Sequence, residues 1–271
     1  MRIALINSGL GLLAPAAALH QLRPDTDLVL ACDPDGMPWG PRTPDDIAAR
    51  SLICARAAQR YQPDIMVVAC NSGSVHALGA LRAEFEPGIP VIGTVPAIKP
   101  AAAAHRTIAI WATVATTSSA YQRRLIAEFA GSAEVNEVAC PGLADAVDAA
   151  DEAATAAAVA AAAAQTPAGC EAVVLGCTEY ELVADQIRQA LPGVVTYGSA
   201  TAVAAQALRR IPGGPDPLPG GAASGSIRVL LSGRPAGLPP AALLYPEGRL
   251  LAPLVVTTGV SEPVAEAVAA D

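Results

Sequence analysis

Short apolar runs recur along the chain, separated by longer stretches of mixed character. Residues 2–6, 27–32, 65–68, 91–94, 107–111, 172–175 and 227–232 are dominated by Val, Ile, Leu, Met and Ala, and 135–139 and 194–197 follow the same pattern more weakly. Most show no alternation of polar and apolar positions. This is how strands buried on both faces of a parallel sheet read. Between them the pattern predicts helices over 15–22, 44–61, 75–85, 119–130, 144–165, 181–190 and 201–210. The start at Thr43-Pro44-Asp45-Asp46 is well specified, with a hydroxyl cap, proline at the first helical position and acids in the first turn. Strands alternating with helices imply parallel sheets joined by right-handed crossovers. Residues 211–225 are rich in Pro and Gly and read as a flexible joint, and the tail from 236 to 271 is apolar but turn-rich, with no element predicted.

Composition narrows the picture. At 271 residues the chain can form one large domain or two of ordinary size. Its 52% hydrophobic content is inflated by alanine, and no window reaches 18 strongly apolar residues. The first seven residues read as a strand rather than a signal peptide. A net charge of −8 with no basic stripe excludes nucleic acid as a partner, and nothing points to a membrane. Six cysteines without a secretion signal suggest reduced thiols in the cytoplasm. No CxxC is present and the three histidines are scattered, so no metal is expected. The loop Asn7-Ser8-Gly9-Leu10-Gly11 suits a carboxylate or phosphate on exposed backbone N–H groups. It lacks the full dinucleotide fingerprint, so no nicotinamide cofactor is inferred.

Two of the apolar runs end alike. Residues 65–69 lead into Cys70-Asn71-Ser72, and 172–176 into Cys177-Thr178-Glu179. Carboxyl ends of parallel strands are where open α/β sheets bind ligands. Two thiols on opposite faces of a small substrate can act as a two-base pair, one removing a proton and the other returning one. Cys32, Cys54, Cys140 and Cys170 lack this context and read as small buried hydrophobes. The turn-rich stretch 33–44 reads either as a plain surface loop or as a cover for the site with Trp39 as a wall.

At these residues the chain resembles the glutamate/aspartate racemase superfamily, closest in layout to the glutamate racemases. Its first loop is similar to an Asp-Ser-Gly-x-Gly loop, and Pro38-Trp39-Gly40 to Pro-Tyr-Gly. Ala69-Cys70-Asn71-Ser72 resembles Ala-Cys-Asn-Thr, and Leu175-Gly176-Cys177-Thr178-Glu179-Tyr180 resembles Leu-Gly-Cys-Thr-His-Tyr. Thr113 and Thr116 match an Ala-Thr-x-x-Thr turn, and Ser232-Gly233-Arg234-Pro235 echoes Ser-Gly-Asp-Pro.

The resemblance implies two pseudo-symmetric parallel-sheet α/β domains with the site in the cleft between them. The expected division is 1–95 plus 200–271 against 96–199. It implies cofactor-independent racemisation of an amino acid, glutamate first, with Cys70 and Cys177 as the proton-transfer pair and a homodimer as a compatible assembly. Ser8, Pro38, Trp39, Gly40, Asn71, Ser72, Thr113, Thr116 and Thr178 would bind substrate. Asn7 and Glu179 would assist, and both depart from the pattern. Asn7 stands where the family has Asp, which predicts that Asn7→Asp raises activity by restoring a charge. Glu179 stands where glutamate racemases have His, as in aspartate racemases. The alternatives are an aspartate- or hydantoin-type racemase and a ligand-binding homologue with weak catalysis.

Overall fold

The structure is a computed structural model that describes residues 1–211 and 225–256. The expected joint at 211–225 and the tail beyond 256 therefore lie almost wholly outside the described residues. In chain order the first half forms β1 (Arg2–Asn7), α1 (Leu13–Leu22), β2 (Asp27–Cys32), α2 (Pro44–Gln59), β3 (Ile65–Val68), α3 (Asn71–His76), α4 (Leu78–Phe85), β4 (Val91–Gly93) and α5 (Ile98–Ala104). Then come β5 (Thr107–Ala112), α6 (Val114–Thr117), α7 (Ala120–Phe129), β6 (Glu134–Ala139), α8 (Leu143–Asp148), α9 (Glu152–Gln165), β7 (Ala172–Leu175), α10 (Ala184–Ala190) and β8 (Val195–Tyr197). The described chain closes with α11 (Ala200–Arg210), β9 (Ile227–Leu231), β10 (Arg234–Ala236) and α12 (Pro246–Leu251).

The strands form two sheets, ordered β10-β9-β2-β1-β3-β4 and β6-β5-β7-β8. The inner order β2-β1-β3-β4 of the first recurs as β6-β5-β7-β8 in the second, so the chain builds one winding twice. All neighbours are parallel except β9 and β10. That antiparallel edge was not expected. It arises because Ser232 (φ 46°) and Gly233 (φ 80°) make a two-residue turn of the kind that closes tight hairpins.

Alternation along the strands divides the core. In β1, Ile3 and Leu5 face inward to a cluster that also holds Ala109 and Trp111 of β5 and Val173 of β7. Ala4 and Ile6 face a second layer with Trp39, Ile47 and Cys54. Ile108 and Ile110 of β5 face a third with Ile98 and Leu125. Both sheets thus share one continuous inner layer, which fixes them against each other and leaves their carboxyl ends to frame the cleft.

Several helices begin or break elsewhere than the pattern predicts. Cys70 caps α3, so helix starts at Asn71 rather than Val75, and it is interrupted at Ala77. The single helix expected over 144–165 is two, because Ala150 takes a left-handed conformation (φ 52°) and Asp151 caps α9 through the Ala154 N–H. Residues 178–183 form a 3-10 segment before α10, and α5 lies where no element was predicted. At α2 the expected signals act as read: Thr43 accepts from the Asp46 N–H, with Pro44 in the first turn.

Candidate active site

In each sheet the point where the strand order reverses lies between the first and third strands, β1/β3 and β5/β7. Crevices at such points receive ligands in doubly wound folds. Here β1 ends at Asn7-Ser8 and β3 runs into Cys70, while β5 ends before Thr113 and β7 runs into Cys177. The two crevices face one cavity of about 200 Å³, lined by both cysteines. That is below the roughly 300–1,000 Å³ of drug-sized sites and matches a small metabolite.

Of the expected site residues, Ser8, Pro38, Trp39, Gly40, Cys70, Ser72, Thr113, Cys177 and Glu179 line this cavity. Asn7, Asn71 and Thr178 lie buried around it rather than along its wall, and Thr116 lies behind Thr113. Thr113 caps α6: its Oγ1 accepts from the Thr116 N–H at 3.3 Å and donates to Thr116 Oγ1 at 3.0 Å. Asn7 is wholly buried, donating from Nδ2 to Ala69 O (2.7 Å) and to Thr178 Oγ1 (3.2 Å). Asn71 Nδ2 donates to Gly176 O, tying the Cys70 loop to the Cys177 loop, while its buried Oδ1 has no partner. Gly11 lets these layers close: a Cβ there would stand 2.7 Å from Asn7 Nδ2 and 2.6 Å from Glu179 Oε1.

Each thiol has a distinct neighbourhood. Cys70 is buried at the start of α3, and its Sγ accepts from the Gly73 N–H at 3.4 Å. Burial, and then the charge of Glu179, push this thiol up to about 12, against the pull of the Gly73, Ser72 and Ser8 N–H groups. The Cys177 Sγ–H donates to Glu179 Oε2 at 2.8 Å. Burial raises it well above the ordinary thiol range, and the adjacent carboxylate raises it further. Both thiols therefore rest protonated, and either thiolate, once formed, is a strong base.

Sequence reasoning missed an acidic wall. Asp145 and Asp148 of α8 also line the cavity, and Cys140 joins them at the end of β6. Cys140 is buried, as expected, yet it borders the cavity through the same strand-end logic that singled out Cys70 and Cys177. Asp148 Oδ1 accepts from the Leu10 N–H at 2.7 Å. Burial, followed by the charges of Glu179 and Asp145, raises its pKa well above the usual carboxylate range. The only sequence signal was an i, i+3 pair of acids in an alanine-rich run. Among the described residues no group of His, Cys, Asp and Glu is arranged to hold a metal ion, and no helix is long and apolar enough to cross a membrane.

Two sheets of the same winding, each delivering a strand-end cysteine to one shared cleft, define an α/β protein of the racemase type. The chain belongs to the Asp/Glu/Hydantoin racemase family, whose model matches residues 12–207. It is 33% identical over 241 residues to a glutamate racemase of Pseudomonas putida, covering 87% of this chain and 90% of that one. Against a glutamate racemase of Herpetosiphon aurantiacus the identity is 34% over 240 residues, with 86% and 93% covered. Among solved structures it is similar to Escherichia coli glutamate racemase in complex with L-glutamate and the activator UDP-MurNAc-ala. That match has a TM-score of 0.75 and 28% identity over 89% of this chain and 91% of that one.

Proposed function

We propose that the chain is a cofactor-independent amino-acid racemase that moves the Cα proton between Cys70 and Cys177, with glutamate as first substrate. The observation that carries this reading is that the two thiols, each at the carboxyl end of the third strand of its own sheet, border one cavity of amino-acid size. The thiolate of one cysteine takes the Cα proton and becomes a thiol. The opposite thiol gives its proton to the other face of the carbanion and is left as thiolate. The product is the mirror image, and the pair is reversed. Glu179, bonded to the Cys177 thiol, is placed to take that proton when Cys177 must act as base. The hydroxyls of Ser8 and Ser72 supply neutral donors for the carboxylates and the developing enolate. A cytoplasmic setting fits six free cysteines, and a homodimer is compatible with this reading.

Proton NMR in D₂O with L- and D-glutamate, both aspartates and a 5-substituted hydantoin tests the assignment. Loss of the Cα–H signal from both enantiomers of one compound names the substrate class. Cys70→Ser and Cys177→Ser should each lower racemisation by about 10²–10⁴-fold, the usual share of a positioned acid or base. Unchanged turnover in both variants on the compound so identified would remove the two-thiol assignment.

A further inference from the structure

Trp39 borders the cavity, but its polar end points away from it. The indole is 1% exposed, and its Nε1–H donates at 3.0 Å to Oδ2 of Asp33, a carboxylate that is itself 4% exposed. The ring's other end lies against α3: a Cβ added at Gly73 would stand 3.1 Å from Trp39 Cζ3. Gly73 is the residue whose N–H donates to Cys70 Sγ. A chain of contacts therefore runs from the Asp33 carboxylate through the indole to the amide that holds the thiol.

The carboxylate is fixed in turn. Arg50 Nη1 donates to Asp33 Oδ2 at 3.3 Å, and Ser232 Oγ donates to Oδ1 at 3.2 Å, so α2 and the β9–β10 turn hold it from two sides. The Asp33 N–H donates to Asn7 O and Ser8 O, which ties its backbone to the end of β1. A buried charged acceptor with this many partners does not drift, and a hydrogen bond to it is stronger than one between neutral groups.

We propose that Asp33 is a positioning residue that acts through Trp39: its carboxylate anchors the indole, and the indole keeps the Gly73 N–H aimed at Cys70. The proposal rests on Cys70 being a proton-transfer thiol. Trp39 is then more than a wall of the cleft. A ring free to shift would let the Gly73 amide move off Sγ, and the thiolate would lose a donor that stabilises it. The loss would appear in kcat more than in KM.

A double-mutant cycle tests this. Asp33→Ala and Trp39→Phe are each expected to lower kcat/KM about tenfold or more, the scale of a lost hydrogen bond to a charge. The double variant should fall no more than about twofold below Trp39→Phe, because Asp33 has nothing left to act through. Multiplicative losses would overturn the proposal and make Asp33 a staple of its loop through Arg50 and Ser232. If Asp33→Ala does not fold, Trp39→Phe alone decides, since undiminished kcat/KM there sinks the idea. A readout without substrate separates this from the racemase reading. The protein has two tryptophans, and the second, Trp111, donates to Thr166 Oγ1 at 2.9 Å. In ¹H–¹⁵N spectra Asp33→Ala should move the Trp39 indole resonance upfield and leave that of Trp111 in place. An unmoved Trp39 signal overturns the anchor. A wild-type protein inert toward every amino acid, with that shift seen, would instead overturn the catalytic half together with the racemase reading.

Discussion

The Asn7 side chain uses both ends of its amide inside the protein. Nδ2 donates to Ala69 O and Thr178 Oγ1, and Oδ1 accepts from the Ser8 N–H at 2.6 Å. An amide satisfies both directions; a carboxylate would set an anion against the Ala69 carbonyl. The neighbours thus oppose, on stability, the Asn7→Asp change that the charge argument from sequence alone favours for activity. Asn7→Asp should cost about 1–3 kcal/mol at neutral pH, the scale of a buried group facing the wrong partner. A protonated aspartic acid donates again, so its folded pKa is raised and the deficit should shrink as pH falls toward the ordinary carboxylate range. Melting curves at pH 4 and pH 7 read this, and unchanged melting with increased turnover would refute it. Cys70 and Cys177 were legible because an apolar run that stops at a thiol marks a strand end. Asp148 was not, because Leu-Ala-Asp-Ala-Val-Asp offers no local reason for an acid to face a cleft. Only the fold brings it to Leu10.

At the scale of elements, the break between α8 and α9 makes the clearest test. Ala150 sits at φ 52°, where an L side chain crowds the following carbonyl at a cost of about 1–2 kcal/mol. Glycine removes the crowding but adds freedom to the unfolded chain, so Ala150→Gly should stabilise the protein by about 0.5–1 kcal/mol. A lower melting temperature for this variant would show that the break is held by something other than the turn. This break also shows where reading from sequence stops. Strands β1, β3, β5 and β7 were plain because burial on both faces leaves uniformly apolar runs. The alanine run gave no such purchase: every position favours helix and none marks a face, so the turn at 149–151 has no local signature beyond the Asp151 cap. The 3-10 segment after Cys177 was missed for a related reason. Its residues, Thr-Glu-Tyr-Glu-Leu-Val, carry helical spacing, but Glu179 is drawn to the Cys177 thiol and Glu181 to the N–H groups of Ser199 and Ala200.

Across the whole molecule, the two sheets meet through contacts that converge on the cleft: Asn7 with Thr178, Asn71 with Gly176, and Asp148 with Leu10. Asp148 and Glu179 both belong to the second half, where α8 packs on the 178–183 segment, so joining the halves covers two neighbouring carboxyls where little water screens them. Because the folded pKa of Asp148 is raised, the native state binds its proton more tightly than the unfolded chain does. Its contribution to stability is then greatest below the unfolded value of about 3.9 and declines as pH rises through the folded value. Asn in its place keeps an oxygen for the Leu10 N–H and carries no charge. Asp148→Asn should therefore melt higher than wild type at pH 7, and the gap should close near pH 3.5. Each pKa unit of the shift is worth about 1.4 kcal/mol, and each kcal/mol is about 2–4 °C in a chain of this size. Since Glu179 supplies part of the repulsion, the gain should be smaller in a Glu179→Gln background, a coupling that independent sites do not show. Equal gains in both backgrounds would mean that burial alone raises Asp148. A gain at pH 3.5 as large as at pH 7 would mean that the carboxylate's charge is not the cause.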